Sequence, residues 1–132
     1  MSKSKGVKIL LVDDEPDFTQ PIEFWLKSKG YTVLIAREGK SALEIIKADS
    51  PDMVFLDLKM PVMDGIETLR NIRKFNTDLP VIIITVEYAN DKKFEEANKL
   101  GSSGFFPKKG SFEELESIIG VTLRTHKTLK DK

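Results

Sequence analysis

Val7-Lys8-Ile9-Leu10-Leu11-Val12-Asp13-Asp14-Glu15-Pro16-Asp17 is the stretch on which the fold turns. A six-residue run broken only by Lys8 reads as a strand covered on both faces. The acids and proline that follow mark a helix N-terminus. Carboxylates there meet the positive end of the helix dipole, and a proline gives up no N–H the helix needs.

The same alternation continues along the chain. The first helix is expected to run to about Lys29, burying Phe18, Ile22, Trp25 and Leu26, with Gly30 as its C-cap. Pro21 lies inside it and predicts a kink or a late helix start. A second strand over Tyr31–Ala36 and a second helix over Gly39–Ala48 follow, then a stop at Ser50-Pro51-Asp52. Met53-Val54-Phe55-Leu56 is the third strand and leads through Asp57–Gly65 into a helix from Ile66 to about Phe75. The fourth strand is Val81–Thr85, with a mostly charged helix over Asn90–Leu100. The fifth is Gly104–Phe106, with a helix over Ser111–Thr125 that turns Phe112, Leu115, Ile119 and Leu123 inward. Ser111 and Glu114 have capping-box spacing. Residues 1–6 read as a disordered polar start, 7–125 as one domain, and 126–132 as a polar tail or the start of a linker.

Five strand–helix alternations imply an α/β domain, a doubly wound five-stranded parallel sheet with helices on both faces. In such a sheet ligands bind beyond the carboxyl ends of the strands. Asp13 and Asp14, Asp57, Thr85 and Lys108 all follow or end apolar runs, so the topology gathers them on that one edge.

Composition narrows the partners. The 132 residues carry 21 basic and 21 acidic side chains, so net charge gives no reason to expect nucleic acid or an anionic membrane. There is no cysteine, which excludes disulfides and thiolate metal sites and fits the reducing cytoplasm, the expected location. The basic start runs into too short an apolar segment for a signal peptide or a membrane span.

Three carboxylates in one pocket repel unless a cation sits among them. With no histidine or cysteine beside them the site is all oxygen, which suits a hard divalent ion, Mg²⁺ before Ca²⁺ or Mn²⁺. Mg²⁺ commonly shares phosphate oxygens, Lys108 offers an ammonium for a phosphoryl oxygen, and Thr85 offers a hydroxyl. A carboxylate, ionised at neutral pH, can attack phosphorus without a general base. The pattern points to phosphoryl transfer by positioning and charge neutralisation, ending in an aspartyl phosphate.

Leu11-Val12-Asp13-Asp14-Glu15, Asp57-Leu58-Lys59-Met60-Pro61-Val62-Met63-Asp64-Gly65, Thr85 and Gly104-Phe105-Phe106-Pro107-Lys108 together resemble the receiver domain of two-component response regulators. The resemblance spans about residues 7–125. It implies a flavodoxin-like (βα)5 fold with strand order 2-1-3-4-5. It implies Asp57 as phosphoacceptor and a phosphohistidine donor on a sensor histidine kinase or phosphotransfer protein. Asp14, Asp57 and the backbone carbonyl of Lys59 would ligate Mg²⁺, with Asp13 nearby or acting through water. Lys108 would contact the phosphoryl group, Thr85 would move towards it, and Phe105 would turn inward. The surface of the fourth helix, fifth strand and fifth helix would then change for an output partner that the sequence does not name. A monomer or phosphorylation-dependent dimer is implied, without membrane or direct nucleic-acid binding. The chain is either a single-domain regulator or a receiver cut from a longer one.

Two positions depart from the family pattern. Lys109 stands where proline usually follows the lysine; a cis bond before a non-proline residue costs about 3 kcal/mol, so a trans loop is expected. Val86 stands where a smaller residue is usual, narrowing access to the pocket. Lys59 and Glu87 are expected to pair across the rim. An aspartyl-nucleophile phosphatase of the haloacid-dehalogenase type would need a second Asp where Lys59 stands, which argues against an enzyme. The alternative is a pseudo-receiver that binds partners without phosphorylation.

Overall fold

The computed structural model describes residues 6–60, 62–85 and 91–125. Strands and helices alternate: β1 (Lys8–Val12), α1 (Pro16–Ser28), β2 (Thr32–Ala36), α2 (Gly39–Asp49), β3 (Met53–Asp57), α3 (Gly65–Arg73), β4 (Val81–Thr85), α4 (Asp91–Lys99), β5 (Gly104–Pro107) and α5 (Phe112–Thr125). All five strands are parallel, in the order β2-β1-β3-β4-β5.

Alternating side chains of the central strands feed two cores. Leu10, Val12, Val54, Leu56, Val81 and Ile83 face α2, α3 and α4, where Ala42, Ile46, Leu69, Ile72 and Ala97 close over them. Ile9, Leu11, Met53, Phe55, Ile82 and Ile84 face α1 and α5, against Ile22, Leu26, Leu115 and Ile119. Covering on both faces explains why β1, β3 and β4 are apolar apart from Lys8 at the start of β1 and Asp57 and Thr85 at the ends of β3 and β4, while β2 at the sheet edge carries the exposed Thr32. Among the described residues no helix is long and apolar enough to cross a membrane.

The helix ends follow local chemistry, with some corrections. Pro16 opens α1, so the late start expected from Pro21 does not occur. The residue at the helix terminus already satisfies the first-turn preference for proline. The C-cap is Lys29, not Gly30. Gly30, at φ 96°, follows it and donates its N–H to Lys27 O, while the Tyr31 N–H reaches Leu26 O, which closes a Schellman motif. Asp64 caps α3 by accepting the Glu67 N–H at 2.9 Å, so α3 begins at Gly65 rather than Ile66. Ser111 and Glu114 form the expected reciprocal box. Asn90, expected to open α4, lies outside the described residues.

Phe112 does not turn inward. It stays 43% exposed and stacks on Trp25, with ring centroids 5.2 Å apart and planes within 5°. The apolar surface its ring meets is the Trp25 indole of α1.

Candidate functional site

Parallel register brings the acids level. Val12 pairs with Leu56, so the residues that follow, Asp13 and Asp57, leave adjacent strands at the same height. The Asp13 N–H donates to Ala36 O at the end of β2 (3.1 Å). Arg37, just beyond β2, donates to Asp13 O (3.3 Å) and to the buried Thr19 hydroxyl (2.7 Å). These contacts fix the acidic turn to both β2 and α1.

On the other side, Gly65 carries the close approach. A Cβ there would stand 2.3 Å from Asp57 O and 2.6 Å from Leu58 Cα, so any side chain would push α3 off the end of β3. The Gly65 N–H donates to Leu58 O (3.0 Å). Nearby Val62 holds a left-handed backbone at φ 66° with its side chain fully exposed.

The two buried aspartates are arranged alike. Asp13 Oδ1 accepts the Glu15 N–H (2.8 Å), and Asp57 Oδ1 accepts the Lys59 N–H (3.1 Å). Each uses one oxygen to bind the backbone two residues on and turns the other, Oδ2, towards Lys108. The Lys108 Nζ stands 2.8 Å from Asp13 Oδ2 and 3.4 Å from Asp57 Oδ2, and also pairs with Glu15 Oε1. It lies 5.2 Å from the centroid of the Phe18 ring. The approach to Asp13 is an ion pair by distance but too oblique for a directed hydrogen bond, and Asp13 Oδ2 has no hydrogen-bond partner. The peptide between Lys108 and Lys109 is trans.

Electrostatics follow from this geometry. Burial raises the Asp13 carboxyl above its ordinary value, although the Lys108 ammonium and the Glu15 N–H oppose the rise. Burial raises Asp57 as well, against the Lys59 N–H, with the neighbouring Asp13 charge adding to the rise. Lys108 loses solvation too, yet its close pairing with the Asp13 and Glu15 carboxylates and the nearby Asp57 charge outweigh that loss and hold it charged. One lysine therefore does not fully compensate the acids around it.

Asp13, Asp14 and Asp57 each present a carboxylate oxygen within 4.8 Å of the others, Asp14 from an exposed position. A buried oxygen that is ion-paired but makes no directed hydrogen bond, in an all-oxygen cluster short of positive charge, fits a hard divalent cation.

Of the residues expected in the site, Asp13, Asp14, Asp57 and Lys108 come together, and Lys59 sits beside them through its amide. Thr85 ends β4 opposite Pro107, but its side chain lies outside the described residues. Val86 and Glu87 lie outside them too, and with them the expected Lys59–Glu87 pair. Phe105 is half-buried on β5, with its ring 4.5 Å from Phe94 of α4. Sequence reasoning missed Glu15, Phe18 and Arg37. In sequence Glu15 reads as a partner of the helix dipole; the available signal is an acidic run one residue longer than a pair.

The response regulator receiver domain model matches residues 9–120. The response regulator MprA of Mycobacterium ulcerans (strain Agy99) is 37% identical over 129 residues, covering 96% of this chain and 54% of its own length. This chain thus spans about half the length of the curated relatives it matches. Among solved structures, a two-component response regulator from Clostridium difficile superposes with a TM-score of 0.84 at 25% identity, covering 92% of this chain and 98% of that one. The Francisella response regulator 1452 receiver domain gives 0.77 at 34% identity over 89% and 95% of the two chains. Vibrio cholerae chemotaxis protein CheY4 gives 0.79 at 29% over 87% and 97%. The strand order, the acidic edge and these matches agree, and the chain belongs to the response regulator receiver domain family.

Proposed function

We propose that Asp57 accepts a phosphoryl group from a phosphohistidine on a sensor histidine kinase or phosphotransfer protein. The observation that carries this reading is the convergence of Asp57 with Asp13, Asp14 and Lys108 at one strand edge. An Asp57 carboxylate oxygen forms a bond to phosphorus. The P–N bond breaks, and its electron pair leaves with the imidazole, which takes up a proton. Asp13, Asp14, Asp57 and the Lys59 carbonyl would hold Mg²⁺, which supplies neutralisation of phosphoryl charge when bound. This chain's own contributions are the oriented Asp57 carboxylate, fixed by the Lys59 N–H, and the Lys108 ammonium at the rim.

Added charge at the end of β3 would be read through Thr85 and Phe105. The contact of Phe105 with Phe94 supports a path from β5 to α4, and thence to an output partner in the cytoplasm. The domain is a signalling element that assists its own phosphorylation rather than an enzyme turning over a substrate.

Incubation with Mg²⁺ and acetyl phosphate, read by intact mass, tests this. One phosphoryl adduct, abolished by Asp57→Asn, is expected. Absence of an adduct from acetyl phosphate and from a phosphorylated kinase alike would leave a phosphorylation-independent binding module.

A further inference from the structure

The Lys108 ammonium has three N–H donors and three carboxylates around it: Asp13, Asp57 and Glu15. Two of these belong to the acidic cluster. Asp13 and Asp57 would each lend an oxygen to a divalent cation held there, and its charge would weaken their hold on Lys108. Among the described residues, Glu15 is the one carboxylate partner of the ammonium that stands outside that cluster. It stands at the N-cap of α1 without making a side-chain capping bond, so its carboxylate has no helix-capping task. Phe18, a turn further along α1, presents its ring to the same ammonium at 5.2 Å.

We propose that Glu15, backed by Phe18, is a positioning residue that keeps Lys108 at the rim of the site once the acidic cluster is occupied. Lys108 is then held beside Asp57 and faces the incoming phosphoryl oxygens, where it would otherwise swing into solvent. The inference rests on the phosphoacceptor reading above and adds to it a residue on a different element from the lysine it controls. The bland competing account is an exposed ion pair, of little consequence in water, or a general negative field at the pocket mouth.

Glu15→Gln separates these accounts. It is isosteric, its site is exposed, and it removes no cap, so the fold is retained. At saturating Mg²⁺ the rate of phosphorylation by acetyl phosphate is expected to fall about threefold or more, with partial recovery in Glu15→Asp. In a Lys108→Met background Glu15→Gln is expected to change nothing further. An equal loss in both backgrounds would mean that Glu15 acts as a field on the cluster and would overturn the proposal.

A second readout needs no phosphoryl donor. The ¹⁵N signal of the Lys108 ammonium, identified by its disappearance in Lys108→Met, is expected to stay resolved in the Mg²⁺-loaded protein and to be lost to solvent exchange in Glu15→Gln. An unchanged signal and rate in Glu15→Gln would sink the positioning role while the adduct on Asp57 stood. A wild-type protein that takes no phosphoryl group would sink the phosphoacceptor reading instead, and the ammonium signal would still decide the Glu15–Lys108 contact.

Discussion

At the amino edge of the sheet, Asp52, Lys8 and Arg73 each find hydrogen-bond partners. Asp52 accepts the Lys8 N–H at 2.9 Å, and Lys8 Nζ donates to Asp49 O at 2.9 Å. Arg73 donates to Leu100 O, Asn76 O and Gly101 O, tying the ends of α3 and α4 together. At the carboxyl edge, Asp13, Asp57 and Glu15 share one ammonium, and Asp13 Oδ2 keeps no hydrogen bond. Both edges bury charge, so burial alone does not mark function. What marks it is incomplete compensation, because an under-neutralised cluster has binding free energy left to give a ligand.

Substitutions at the two edges should therefore differ in sign. The largest effect is expected from Arg73→Ala, which strips three charge-assisted contacts from carbonyls and should cost about 3 kcal/mol in urea unfolding. A loss below about 1 kcal/mol would show that the amino edge is not held this way. Asp52→Ala orphans the Lys8 N–H and should cost about 2 kcal/mol in the same measurement.

At the other edge Asp13→Asn removes a charge that burial disfavours. In chelator it should stabilise the fold by about 1 kcal/mol. Added Mg²⁺ should raise the melting temperature of the wild type but scarcely that of the variant. If Asp13→Asn destabilises the fold in chelator, the carboxyl edge is not under strain and the contrast collapses. The smallest effect belongs to Val62→Gly. A β-branched residue at φ 66° is strained, and relief of that strain, less the entropy glycine loses on folding, should leave a gain of about 0.5 kcal/mol. A loss on thermal denaturation would refute it.

Most of this architecture was legible because it is written in periodicity. Leu10, Val12, Val54 and Leu56 alternate with Ile9, Leu11, Met53 and Phe55, so apolar runs flanked by acids and caps gave strands, helices and the acid-bearing edge directly. Asp13, Asp14, Asp57 and Lys108 were readable because each follows its strand at a fixed place. Glu15 was not, since its partner lies 93 residues away and is chosen by the path of the β5–α5 loop, which no local pattern encodes. Phe112 failed for a related reason: helical spacing put it on the inner stripe, but its ring stacks on Trp25 of α1, a partner distant in sequence, instead of entering the core. Nothing in its local composition could announce Val62 either, because the sign of φ there is imposed by the turn into Asp64 and Gly65.

The stack of Trp25 on Phe112 makes the protein its own optical reporter. Trp25 is the sole tryptophan; its indole stacks on the Phe112 ring, and the Lys29 ammonium lies 5.5 Å from its centroid. Its fluorescence thus monitors the seating of α5 on α1 rather than the bonding of phosphorus. A shift in emission upon activation would count the last helix among the moving parts, and a constant spectrum would leave it as ballast.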